Sequence, residues 1–193
     1  MLSISNADSV AIDDRIMTAA ASCVRDFGVD RVTLAEIARR AGVSRPTVYR
    51  RWPDTRTILA SLLTDRITGT WTSIPARQPG REGVVARVVE VAQRLRDDEL
   101  IVAVLRSAPD LAMVYITGRL GTSQQILIDL VEKELRTAQA DGSVRAGDAR
   151  QMSAMVLLIA QSSIQSGPIV ETILDAQSLA VELAHALNGY LAP

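Results

Sequence analysis

The sequence predicts an all-α protein of about nine helices, a small N-terminal three-helix domain followed by a larger helical bundle. Three observations predict it. Apolar residues recur three and four apart along most of the chain. Strand signals are scarce, with aromatics at 3% and almost no β-branched alternation. Residues that cap and stop helices punctuate the chain at short intervals. At 193 residues and 48% hydrophobic, the protein can bury a core.

The first helix is expected from about Ser9 to Phe27, with Ile12, Ile16, Ala19/Ala20, Cys23/Val24 and Phe27 on one face and Gly28 as its stop. Cys23 falls in that stripe and reads as a buried, inert thiol. The second helix opens with a capping box between Thr33 and Glu36 and buries Leu34, Ile37, Ala38 and Ala41. Gly42 closes it, Val43 plugs the turn and Ser44 caps a third helix, with Pro46 in its first turn. Val48 and Trp52 face inward and Pro53 stops the helix. Asp54 caps a fourth running to about Gly69. Residues from Trp71 to Gly83 form the best loop in the chain.

Beyond it, a helix from Arg81 to Arg96 turns Val84, Val85, Val88, Val91, Ala92 and Leu95 inward. A short one covers Glu99–Ser107. A long one runs from Leu111 to Ala140 with a kink at Gly118 or Gly121, and Asp141-Gly142-Ser143 turns the chain into helices at 148–166 and 175–191. No repeat or low-complexity tract interrupts this order. The domain division falls at residue 56, with the helix over 54–70 connecting 1–56 to 57–193.

Charge is informative only locally. The net charge is −1, yet residues 39–56 hold Arg39, Arg40, Arg45, Arg50, Arg51 and Arg56 against Asp54 alone. Lys133 is the only lysine, so the clustering of arginine carries the signal and its preference over lysine does not. Two short helices around Gly42-Val43-Ser44, braced by an earlier helix, are a helix-turn-helix, whose second helix enters the DNA major groove. With Val48 and Trp52 inward, Pro46, Tyr49 and Arg50 project outward, and Arg45 and Thr47 lie at the leading end. Arg45 and Arg50 match the paired acceptors of a guanine edge, and Pro46 and the Thr47 methyl suit a thymine methyl. Thr33, Tyr49, Arg51 and Arg56 suit phosphates, as does the N-terminus of the fourth helix.

Residues 33–59, from Thr33-Leu34-Ala35-Glu36-Ile37-Ala38 through Gly42-Val43-Ser44, Thr47-Val48-Tyr49 and Trp52, resemble the signature of the TetR (tetracycline-repressor) family. The likeness takes in Phe27-Gly28 and covers about residues 10–63. One position departs: Thr55 stands where family members usually carry lysine near the DNA backbone, and Arg56 is its neighbour. The resemblance implies a homodimer on a palindromic double-stranded operator, a repressor released by a small-molecule effector.

One groove helix reads few base pairs, so two-fold pairing is expected. The last two helices are the candidate surface, through Met152, Val156, Ile159, Leu179, Leu183 and Leu187. Residues 151–170 carry no charge. A membrane span is the rival reading, and Gln161, Ser162, Ser163, Gln165 and Gly167-Pro168 break it. His185 reads as a polar surface or interface residue. In the resembled family a ligand pocket lies among the helices after the reader, and Trp71, Val91, Arg94, Tyr115, Arg119, Met152 and Met155 are its candidate liners. Gly118–Ser123 lacks the Gly-Lys ending of a phosphate loop. With a single cysteine and a single histidine at opposite ends of the chain, no disulfide, metal site, cofactor or nucleophile–base pair is expected. Met1–Asp14 shows no signal peptide, so the expected location is cytoplasmic.

Overall fold

The computed structural model describes residues 3–107 and 120–193. Among the described residues there are nine α-helices and no strand. They are α1 (Ser3–Phe27), α2 (Leu34–Ala41), α3 (Arg45–Arg51), α4 (Thr55–Ser73), α5 (Gly80–Arg96), α6 (Glu99–Ser107), α7 (Thr122–Ala140), α8 (Ala149–Ser166) and α9 (Ala176–Leu191). The chain forms two compact units. One holds α1–α3, α4 as far as Asp65, and α6; the other holds Arg66–Asp98 and Leu120–Pro193.

In the first unit α1 packs on α2 and α6, and α2 on α3. Ile16, Ala20 and Cys23 of α1, Ile37 of α2, Val48 of α3 and Ile58 of α4 are essentially inaccessible to solvent. Burial pushes the Cys23 thiol up from its ordinary pKa. Phe27 departs from the expected stripe: it is exposed, with the Arg40 guanidinium 4.6 Å above its ring.

In the second unit α5 is central, packing on α7, α8 and α9. Its inner row of Val84, Val85, Val88, Val91, Ala92 and Leu95 is buried. Gly83 is required there by close approach, since a Cβ would fall 1.8 Å from the Gln78 carbonyl oxygen. Asp148 and Asp175 cap α8 and α9 by accepting backbone N–H groups of Gln151 and Ser178.

Element boundaries differ from the sequence reading in several places, and α1 starts at Ser3 rather than about Ser9. Helix α4 continues past Gly69 to Ser73, because Trp71 is buried and the Thr70 and Ser73 hydroxyls donate back to carbonyls of the same helix. The expected loop shrinks accordingly. The long helix over 111–140 is not continuous. Leu120 and Gly121 are non-helical, and α7 starts at Thr122, where the Gln124 side-chain carbonyl accepts from the Gly121 N–H at 2.7 Å. The same Gln124 donates to Gln161 of α8 at 2.7 Å, so Gln161 serves a polar link inside the bundle. No described helix is long and apolar enough to cross a membrane.

Candidate nucleic-acid interface

The interface is built by α2, the turn after it and α3. Thr33 caps α2, accepting from the Glu36 N–H at 3.2 Å. The reciprocal half of the expected capping box is replaced. Arg39 and Arg40 both bind the Glu36 carboxylate, at 2.7–2.9 Å. Hydrogen bonds from Arg39 first, then Arg40, hold the Glu36 pKa at about 2. Gly42 takes the left-handed conformation, φ 63° and ψ 39°, and the Val43 N–H reaches the Ala38 carbonyl at 3.0 Å. Ser44 then caps α3 by accepting from the Thr47 N–H at 3.3 Å.

Helix α3 is two turns long and buries Val48 completely. Its opposite side is open: Arg45, Pro46, Tyr49 and Arg50 are exposed, Tyr49 to 50%. Neither Arg45 nor Arg50 has an acidic or hydrogen-bonding partner among the described residues. Trp52 is half-buried and donates its indole N–H to the Ser61 hydroxyl at 3.0 Å, which ties the end of α3 to α4. A shallow depression between α2 and α3 brings Thr33, Arg39 and Arg45 to one rim. Such a surface offers guanidinium donors and an exposed helix edge, the chemistry a DNA groove requires.

A family model described as bacterial regulatory proteins of the tetR family matches residues 16–62, which span this interface. A helix-turn-helix-type transcriptional regulator of Mycobacterium tuberculosis is 62% identical over 191 residues, covering 99% of this chain and 100% of that protein. The chain belongs to the TetR family. As a TetR-family protein it is a DNA-binding transcriptional regulator, not an enzyme. Solved TetR-like structures share its fold. The repressor QsdR of Rhodococcus erythropolis, from the TetR family, superposes with a TM-score of 0.69 at 16% identity, over 94% of this chain and 96% of that one. The regulator FadR of Bacillus subtilis, in complex with stearoyl-CoA, gives 0.62 at 18% identity, over 92% and 98%.

The remaining TetR-type expectations fall in different places. Arg56 is exposed on the first turn of α4. The N-terminus of α4, expected to receive a phosphate, already holds an anion of its own. Asp54 accepts from the Thr57 N–H and hydroxyl, each at 2.7 Å, and these bonds lower its pKa. Arg51 is turned to its own protein, ion-paired with Asp13 of α1. Arg15, overlooked in the sequence because nothing in a mid-helix arginine signals its partner, donates to the Ala41 and Gly42 carbonyls across the turn.

In the second unit Trp71, Val91 and Met152 are core residues. Arg94 is half-exposed and paired with Glu90, and Met155 faces solvent; Tyr115 and Arg119 lie outside the described residues. Of the expected pairing surface, Met152, Val156, Leu183 and Leu187 are buried within their own unit, and Ile159 and Leu179 are half-buried. The buried ones fill the core of their own unit, where α5, α7, α8 and α9 pack on one another. The large apolar side chains that α8 and α9 leave in solvent are Met155, Leu158 and Val181. His185 is exposed beside them.

Proposed function

We propose that this TetR-family regulator is a homodimeric repressor that reads a palindromic operator with α3 and leaves it when a small molecule binds the larger domain. The observation that carries the reading is the open face of α3, where Arg45, Pro46, Tyr49 and Arg50 project with no partner for either arginine among the described residues. Arg45 and Arg50 read bases, the Thr47 methyl lies at the groove floor, and Thr33, Tyr49 and Arg56 hold phosphates. Residues 1–56 act as the reader and 57–193 as the sensing and pairing part.

Pairing uses α8 and α9 through Met155, Leu158 and Val181, with Ile159 and Leu179 at its margin. The effector is a small organic molecule; the stearoyl-CoA bound by the similar FadR supports that class without naming the compound. A buried Trp71 and Met152 would give its pocket an apolar wall. Release follows if the effector favours a state in which the two readers no longer match the groove spacing. The operator is met in the cytoplasm.

The test is a salt series of binding isotherms. Arg50→Ala is expected to relax sequence preference at one base pair. Arg56→Ala weakens binding to every duplex alike and lowers the salt slope by about 0.9. Parent-like binding by both variants at every salt concentration refutes the assignment of the site.

A further inference from the structure

The arginine run contains one member whose neighbours assign it a different task. Helix α3 spans seven residues, and Val48 alone among them is wholly buried. Two turns are too short to hold themselves. Their roll about the long axis must therefore be set from outside. The leading end is held by the Ser44 cap and by Arg15, which donates to the Gly42 carbonyl at 3.2 Å. At the trailing end Arg51 is only 17% exposed. Its Nε meets the Asp13 carboxylate, one terminal nitrogen donates to the Ser9 hydroxyl at 3.2 Å, and the other reaches the Thr47 carbonyl at 3.4 Å. Ser9 and Asp13 are four apart on α1 and so share a face. All three guanidinium nitrogens are engaged within the protein.

We propose that Arg51 is a positioning residue of the DNA reader, which through Asp13 and Ser9 sets the roll of α3 and touches no phosphate. The proposal rests on α3 entering the groove. Its leverage is geometric: a roll of about 20° carries side-chain atoms on the helix surface some 2 Å sideways, beyond what a bidentate base contact tolerates. Asp13 supplies the diagnostic. Deleting an acid from a surface that meets DNA raises affinity for every duplex if charge alone counts. Deleting a strap lowers affinity for the correct sequence only.

Asp13→Asn, Arg51→Met, Arg51→Lys and the double variant Asp13→Asn/Arg51→Met are compared with the parent over a salt series. The probes are a duplex the parent enriches from a randomised library and a scrambled duplex of equal length. Each variant is expected to bind the enriched duplex about tenfold more weakly, with scrambled binding and salt slope unchanged. The double variant is expected to be no weaker than either single one, since both break one contact. Tighter binding by Asp13→Asn overturns the proposal, as does a slope lowered by about 0.9 in Arg51→Met while Arg51→Lys behaves like the parent. Equal loss on both duplexes with a collapsed melting temperature also overturns it, replacing positioning by general stability. A parent that enriches no duplex refutes sequence-specific reading itself and the proposal with it.

Discussion

The two units differ in how far they pair their arginines. In the second, Arg66 pairs with Asp98, Arg87 with Glu134, Arg94 with Glu90, Arg136 with Glu132, and Arg150 with both Asp129 and Glu132. In the first, Arg45, Arg50 and Arg56 stand exposed without an ion-pair partner among the described residues, although Arg39, Arg40 and Arg51 beside them are all paired. A near-neutral protein has enough carboxylates to neutralise nearly every arginine. Arg25, Arg31 and Arg106 of the first unit are also exposed without an ion-pair partner among the described residues, so it is open charge clustered on and beside α3 that suits a polyanion. Local basicity alone would have marked six residues; pairing reduces the marked set to three.

The largest expected effect tests that contrast directly. Arg45→Ala/Arg50→Ala should cost about 2–6 kcal/mol of operator binding, taking each bidentate base contact at 1–3 kcal/mol. Arg136→Ala/Arg150→Ala, which removes the same charge from the second unit, should leave DNA binding within about 0.5 kcal/mol of the parent. Equal losses in the two double variants, measured by fluorescence anisotropy at one salt concentration, would break the comparison.

Next in size is the part-buried Arg87–Glu134 pair of the second unit. Arg87 binds the Glu134 carboxylate, donates to the Trp71 carbonyl at 2.9 Å and lies 4.3 Å over the Trp71 ring. Arg87→Met should destabilise the fold by about 2 kcal/mol, since it leaves a partly desolvated carboxylate without its partner. Burial already raises the Glu134 pKa despite Arg87. Stability contributed by this carboxyl therefore falls as pH rises from the ordinary glutamate value through the raised one. Glu134→Gln should be the milder change and should flatten that dependence in thermal melts.

Much of this was legible beforehand, for reasons that also explain what was not. Helix positions follow from 3.6-residue periodicity and from caps such as Thr33, Ser44 and Asp54, all of them local signals. The outward side of α3 follows from Val48, because one buried residue on a short helix orients the rest. In the sequence Arg51 reads as a phosphate ligand, because its ion pair is with Asp13, distant in sequence and adjacent only after folding. The pairing surface is hard to read from sequence for a related reason. Helix α8 is apolar on several faces, so pattern alone cannot say which face α5 covers. Met155 and Leu158 emerge only when the core has been filled with Met152 and Val156.

A smaller effect probes the turn that aims α3. Gly42→Ala places a side chain at φ 63°, where a Cβ also comes 3.0 Å from the Arg15 guanidinium. The left-handed conformation costs a non-glycine residue about 1–2 kcal/mol. The melting temperature should drop accordingly, and operator affinity should drop further if the turn relaxes. An unchanged melt would show that the turn is not constrained as the geometry implies.

The smallest effect sharpens the boundary between paired and open arginines. Glu36 pairs with both Arg39 and Arg40, and its pKa of about 2 lies below the ordinary 4.5 because both guanidinium groups favour the carboxylate. A depressed carboxylate pKa contributes stability that is complete above the ordinary value and is lost as pH falls through the folded one. The melting-temperature gap between the parent and Glu36→Gln should thus be widest above pH 4.5 and close toward pH 2. Salt should narrow it too, since the group is exposed and screened. On DNA the sign reverses: Glu36→Gln removes one negative charge beside the open face, so it should tighten scrambled and selected duplexes by the same factor and leave the preference between them unchanged. If preference instead improves, the paired arginines belong to the reading surface after all.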